Sequence, residues 1–200
     1  MMPRARLLAP LLLALLLPLA ACKDEVVQDT SPVDFTDQTI GHYCQMNMTE
    51  HPGPKAQVHL EGIPDPLFFS QVRDAIAFTR APEQVAPILA VQVNDMARPG
   101  ATWEEPGPGN WIDAAGAWFV LGSRREGGMG APEAVPFSTR EAAEAFRIAE
   151  GGELLRLSQI PDDMVLAPVE DLGLFPDNDD DDADFESRLR ALSRHKEAAE

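Results

Sequence analysis

The middle of the chain alternates short strand-like segments with two amphipathic helical segments. Four segments have the apolar pattern of β-strands: 56–60, 88–93, 117–122 and 154–158. Residues 71–80 and 139–149 instead place apolar side chains at helical spacing, and Gly151 and Gly152 end the second segment. Because each helical segment lies between two strand segments, the pattern predicts an α+β fold with two small antiparallel sheets, each covered by one helix.

Serine residues mark the expected starts of both helices. Ser70 and Ser138 can each offer a side-chain oxygen to an unpaired N–H of the first turn, so we predict them as N-cap residues. Glu141 follows Ser138 at the spacing of a capping box. Phe69 and Phe137 precede the serines and are expected to pack as hydrophobic staples.

The two helical segments belong to a longer internal repeat. Several pairs recur 68 positions later in the chain: Phe69-Ser70 as Phe137-Ser138, Ala77-Phe78 as Ala145-Phe146, and Asp95-Met96 as Asp163-Met164. A repeat of this length predicts a duplicated structural unit. We therefore expect a first unit at 37–100 and a second at 101–170, with the Pro- and Gly-rich stretch 97–110 as the connector.

The N-terminus has the features of a bacterial lipoprotein signal. Basic residues are followed by a leucine-rich segment that is too short for a comfortable membrane span, and Leu19-Ala20-Ala21-Cys22 then has the form of a lipobox. We predict a signal peptide at 1–21, lipidation of Cys22, and a flexible tether at 22–36. Lys23, in place of an aspartate that would favour the inner membrane, makes a periplasm-facing position at the outer membrane slightly favoured.

The charge of the chain is strongly acidic. The 200 residues carry a formal net charge of −17, and a run of aspartates lies in the segment 171–200, which is expected to be a largely disordered tail. Nucleic acid is an unlikely partner because its recognition needs basic patches. The membrane is instead expected to be reached through the lipid anchor.

Cys44 and Met46 are the candidate chemical site. Once Cys22 is lipidated, Cys44 is the one remaining thiol, and a single thiol cannot form an intramolecular disulfide. A thiolate with a thioether two residues away is a pair of soft ligands, and soft ligands select Cu(I). The sequence therefore favours an envelope Cu(I) carrier and not an enzyme.

Other side chains could join this site, and the sequence leaves their roles open. Met129 lies between glycines in the second unit, and it is either a gap filler between the units or a third thioether ligand. His42 and His51 are further candidates near Cys44, although a lone histidine is more often only solvated. One free cysteine is too few for a closed zinc site, and nothing supplies the base and oxyanion hole of a Cys-His hydrolase.

Several motifs resemble the NosL family, the copper-binding accessory lipoproteins of nitrous oxide reductase. The motifs are the lipobox, Cys44-Gln45-Met46, Gly53-Pro54-Lys55-Ala56-Gln57, Asn94-Asp95-Met96, Gly128-Met129-Gly130-Ala131-Pro132 and Val135-Pro136-Phe137. The resemblance implies two tandem ββαβ-type units and one Cu(I) per monomer, with Cys44 and Met46 as ligands and Met129 as the third.

The same resemblance implies a function and partners. The family delivers copper for assembly of the copper sites of nitrous oxide reductase, so the reductase and its membrane assembly and transport complex are the expected partners. The alternative is a structural lipoprotein that scaffolds reductase assembly and binds no metal.

Overall fold

The computed structural model describes residues 27–166. The predicted signal peptide, Cys22 and the acidic tail lie outside the described residues. None of the helices found between residues 27 and 166 has both the length and the apolar character that crossing a membrane requires.

Two antiparallel sheets form the framework of the protein. The first sheet has the order β2-β1-β3-β4 and consists of β1 (Ala56–Leu60), β2 (Leu67–Phe69), β3 (Ile88–Val93) and β4 (Ile112–Asp113). The second has the order β6-β5-β7 and consists of β5 (Trp118–Leu121), β6 (Val135–Phe137) and β7 (Glu153–Arg156). Helix α1 (Val72–Arg80) contacts the first sheet, helix α2 (Arg140–Glu150) contacts the second, and a short helix α3 (Asp163–Leu166) packs on α1.

The two sheets have the same core topology, which confirms the predicted α+β class. In each, the first strand of a β-β-α-β sequence lies between the second and third strands. The register also corresponds, since Ala56 pairs with Phe69 in the first sheet and Trp118 pairs with Phe137 in the second. This likeness is what a duplicated unit predicts, and the duplication itself stays an inference.

One part of the predicted repeat has no structural counterpart. Asp95 and Met96 lie one residue beyond the end of β3, and the Asp95 carboxylate accepts the backbone N–H groups of Ala97 and Ser138. Asp163 and Met164 instead begin α3, beyond a 3₁₀ turn. The two occurrences of this pair therefore lie at different positions in their units and are not a shared structural element.

A single apolar core joins the two units. Phe119 and Leu121 of β5 belong to the same buried cluster as Val58 of β1 and Ile76 of α1. The alternate residue Val120 points to the opposite face of the second sheet, where it packs in a smaller cluster under α2. The second sheet is thus buried on both faces.

Elements from outside the expected first unit complete the first sheet. Strand β4, from the range predicted for the second unit, pairs with β3. Residues 28–34, which were expected to be part of a free tether, are bonded to this sheet: the Gln28 side chain donates to the carbonyls of Leu60 and Ile63, and Val33 exchanges two hydrogen bonds with the Gln57 amide. These amide side chains pair backbone groups that would otherwise need water.

The predicted helix caps are wrong by one residue. The N-cap positions are Gln71 and Thr139, and Thr139 accepts the Ala142 N–H through its side chain. Ser70 is turned away from the helix because its hydroxyl contacts Cys44. Ser138 is exposed and lies one residue before the cap, so the expected capping box with Glu141 is absent from this helix start.

Candidate metal centre

Cys44 and Met46 lie in a loop that is closed by its own backbone. The Gly41 N–H donates to the Met46 carbonyl at 2.9 Å, and the Gln45 N–H donates to the Gly41 carbonyl at 3.0 Å. Gln45 has φ +55°, and within residues 27–166 it is the one non-glycine residue with a positive φ. These bonds fix the backbone on which the two candidate ligands stand.

Gly41 is required by the position of the Cys44 sulfur. A Cβ added at Gly41 would lie 2.5 Å from Cys44 Sγ and 3.5 Å from Met48 Sδ. The sulfur atoms of Cys44 and Met48 therefore approach the same point of the backbone. Met48 was not among the ligands predicted from the sequence. Its side chain is fully buried, so it belongs to the packed interior.

The Cys44 loop is attached to the rest of the first unit at two points. The Ser70 hydroxyl donates to Cys44 Sγ at 3.6 Å, and the His42 N–H donates to the Phe68 carbonyl at 2.7 Å. Ser70 is buried, so its contact lies on the interior side of the loop.

The outer side of the site is accessible. Met46 is 43% exposed, Met129 is 45% exposed, and Cys44 is half-buried. Apolar side chains with this exposure are available to an ion or to a partner protein without unfolding of the core. The candidate ligands are therefore surface groups on a buried support.

Met129 lies in a second loop that is docked on the first unit. Its backbone N–H donates to Gln71 Oε1 at 2.9 Å. The neighbouring Gly128 carbonyl accepts a 2.9 Å hydrogen bond from Nδ1 of His51, because a carbonyl can only accept. Gln71 directly follows Ser70, so two consecutive residues connect the Met129 loop to Cys44.

The two histidines near Cys44 have supporting contacts. The His42 ring packs edge-on against Phe69 and Phe78, with centroid distances of 5.6 and 5.5 Å. His51 is buried and holds Gly128, while its Nε2 has no hydrogen-bond partner among the described residues. Their contacts assign His42 to an aromatic cluster and His51 to the docking of the Met129 loop.

Two buried ionisable groups lie behind the loops. Burial lowers the pKa of Lys55 to about 8, although Glu133 and Cys44 act in the opposite direction, and its Nζ donates to the carbonyls of Pro52 and Gly53. Burial raises the pKa of Glu133 to about 8, against the opposing effect of two backbone N–H donors. A lone glutamate in an otherwise apolar segment was the signal in the sequence that could have identified Glu133.

The chemistry of the donor set favours a soft ion. Within residues 27–166, no group of three or more His, Cys, Asp or Glu side chains is arranged to hold a metal. The candidate donors predicted from the sequence are sulfur atoms, and sulfur donors select Cu(I) over harder ions. The candidate thiol and thioethers stand on two loops that both contact the Ser70-Gln71 segment.

The described residues define a small α+β protein with two similar antiparallel sheets and a sulfur-bearing loop. This chain belongs to the NosL family, whose sequence model matches residues 32–165. That match spans both sheets and both candidate ligand loops.

Two curated relatives cover most of the chain. The copper-binding lipoprotein NosL of Achromobacter cycloclastes is 61% identical over 189 residues, which is 94% of this chain and 96% of the relative. The copper-binding lipoprotein NosL of Stutzerimonas stutzeri is 36% identical over 160 residues, or 78% of this chain and 81% of the relative. Both descriptions name a bound metal and an anchor, and neither names a reaction.

A solved structure supports the fold. The crystal structure of the copper chaperone NosL from Shewanella denitrificans aligns with a TM-score of 0.62 and 33% identity, covering 66% of this chain and 96% of that chain. The two-sheet α+β architecture predicted from the sequence is therefore that of a solved family member.

Proposed function

We propose that this protein is a lipid-anchored Cu(I) carrier that faces the periplasm. Cys44 and Met46 are its primary ligands, and Met129 is the third. Copper is the cargo of the protein, which releases it for assembly of the copper sites of nitrous oxide reductase. The protein catalyses no reaction of its own.

The closed loop at 41–46 is the observation that carries this proposal. It presents a half-buried thiol and an exposed thioether on a backbone fixed by its own hydrogen bonds. A preformed loop reduces the ordering cost of binding, while exposure of the sulfur atoms permits transfer to a partner. The names of the relatives support copper as the metal.

Cu(I) is the expected oxidation state because of the ligands. A thiolate neutralises the charge of Cu(I), and thioethers add neutral soft donors that need no deprotonation. Cu(II) prefers nitrogen and oxygen ligands in a tetragonal arrangement, whereas the proposed donors of this site are sulfur atoms.

The proposed lipid anchor rests on the N-terminal sequence, and the proposed partners rest on the resemblance to the family. The lipobox ending at Cys22 predicts acylation, and the relatives are described as lipoproteins. We place the protein on the periplasmic side, with the outer membrane slightly favoured by Lys23. The proposed partners are the reductase and its membrane assembly and transport complex.

The test is a Cu(I) titration of the mature full-length lipoprotein in detergent against a chromophoric chelator. We expect one tightly bound Cu(I) per chain, and Cys44→Ser should abolish tight binding because it removes the one anionic sulfur ligand. In cells that depend on this protein, the same variant should yield copper-poor nitrous oxide reductase.

Two results would contradict the proposal. A Cys44→Ser variant that still supports full copper loading of the reductase would favour the scaffold alternative. Turnover of mixed disulfides at Cys44 would instead indicate a thiol redox enzyme.

A further inference from the structure

Ser70 and Gln71 occupy the junction between β2 and α1, beneath both candidate ligand loops. Both side chains are almost fully buried, at 3% and 2% exposure. The Ser70 hydroxyl reaches Cys44 Sγ at 3.6 Å, and Gln71 Oε1 accepts the Met129 N–H at 2.9 Å. A single dipeptide therefore contacts one residue of each loop.

The corresponding N-cap of the second unit bonds its own helix. Thr139 is the N-cap of α2 and accepts the Ala142 N–H through its own side chain, which is the usual role of a residue at this position. Gln71 is the N-cap of α1 and makes no side-chain capping bond. At the same position in the topology, the first unit thus has a long amide side chain that leaves its own helix uncapped and points to another loop.

The missing cap of α1 is supplied from the second unit. Glu133 Oε1 accepts the Arg73 N–H at 3.0 Å, in the first turn of the helix. Glu133 lies four residues after Met129, so this bond ties the same loop to the same helix start. Because Glu133 caps this helix start, the Gln71 side chain does not need to cap it and instead accepts the Met129 N–H.

Close packing around Gly127 leaves Gln71 little room to move. A Cβ at Gly127 would lie 2.6 Å from Gln71 Oε1 and 2.5 Å from Glu133 Oε2. The Gln71 amide is also fixed at its other end, where Nε2 donates to Asp74 Oδ2 at 3.2 Å. An amide held at both ends in a buried position determines where the Met129 backbone stands.

We propose that Ser70 and Gln71 are positioning residues that set the distance between the two ligand-bearing loops and thereby the Cu(I) affinity. Ser70 orients Cys44, and Gln71 places Met129. The inference rests on the proposed Cu(I) site, but it concerns residues that are not themselves ligands. Small displacements in a supporting side chain are enough to loosen a site of this kind.

The test is a double-mutant cycle on the mature full-length protein, with Cu(I) affinity measured by chelator competition. Gln71→Ala should weaken affinity about three- to tenfold, the effect of losing one buried hydrogen bond. In a Met129→Ala background, Gln71→Ala should cause no further loss, because Gln71 acts through Met129. X-ray absorption of the Cu(I) form should show fewer sulfur ligands in Gln71→Ala than in the unmodified protein.

Thr139→Ala is the matched control at the equivalent junction. It should lower the melting temperature through loss of a cap and leave Cu(I) affinity and the sulfur count unchanged. If Thr139→Ala weakens binding as much as Gln71→Ala, the effect is general destabilisation and the positioning role is overturned. If Gln71→Ala lowers the Cu(I) affinity by the same factor in the Met129→Ala background as in the unmodified protein, the positioning role is also overturned.

The cycle separates this inference from the proposed function. Loss of tight binding in Cys44→Ser, together with unchanged affinity in Gln71→Ala, would overturn the positioning role and leave the carrier intact. Full retention of binding in Cys44→Ser would overturn the carrier itself.

Discussion

Replacement of Glu133 by glutamine tests the electrostatics behind the Met129 loop. The Glu133 carboxyl is 1% exposed, and its Oε1 accepts the N–H groups of Arg73 at 3.0 Å and Ala134 at 2.9 Å. Glutamine has nearly the same shape and keeps an oxygen acceptor for these donors. The variant Glu133→Gln therefore removes the titration of the group and keeps its hydrogen bonds.

The sign and size of the effect follow from the pKa. Burial raises the pKa of Glu133 from 4.5 in the unfolded chain to about 8 in the folded protein. The folded state then binds the proton more tightly, so this group stabilises the fold fully below pH 4.5, and the contribution is lost as the pH rises towards 8. Within that window the loss is about 1.4 kcal/mol per pH unit, and on the order of a few kcal/mol between pH 5 and pH 7.

The buried amine of Lys55 acts in a different pH range. Burial lowers its pKa from 10.5 to about 8, so its contribution to stability changes above pH 8 and not below it. Measurements between pH 5 and pH 7 therefore report on Glu133 with little interference from Lys55.

The assay is urea denaturation of the apo protein at pH 5, 6 and 7. The free energy of unfolding of Glu133→Gln, relative to the unmodified protein, should rise steadily with pH. Glu141→Gln, at an exposed carboxyl of α2, is the control and should leave the pH dependence unchanged. A difference between Glu133→Gln and the unmodified protein that stays constant from pH 5 to pH 7 would refute the reasoning.

Two further substitutions separate binding from stability. Gly41→Ala should cost about 1–3 kcal/mol of stability and weaken Cu(I) affinity, because the added methyl group would lie 2.5 Å from Cys44 Sγ. Gly116→Ala, whose nearest contact would be an ordinary 3.7 Å, is its control, and equal affinity losses in both would contradict the steric argument. Met96→Ala should lower the melting temperature with Cu(I) affinity unchanged, since Met96 packs against the smaller core cluster and Met129 does not. A loss of affinity in Met96→Ala without a similar loss in Met129→Ala would mean that the third ligand is misassigned.

Much of the fold could be predicted because its signals are local. Residues 56–60 and 88–93 were identified as strands with the bounds that the structure shows, and both main helices were placed within one residue. Strands β2 and β6 were not identified, since each has three residues and its aromatic side chain was interpreted as a helix staple. Three residues carry too little periodicity to distinguish the two possibilities.

The supports of the site were beyond the sequence pattern. Cys44, Met46 and Met129 could be proposed as ligands from the sequence because soft sulfur donors are recognised by residue type, and their ligand roles stay predictions. Ser70 and Gln71 could not, because their roles depend on contacts between residues 26 and 58 positions apart. Serine before a helix is a common cap, and nothing local shows that its hydroxyl points to a thiol instead.

The apolar core shared between the two units limits how this protein can be reduced in size. Phe119 and Leu121 of β5 complete the cluster that buries α1, and β4 completes the first sheet from beyond residue 100. An excised fragment ending at residue 100 would keep Cys44 and Met46 but expose the apolar surface that these elements cover. A minimal copper-binding module for protein engineering therefore cannot be the first unit alone. It has to retain both units, even if the proposed contribution of the second unit is one thioether.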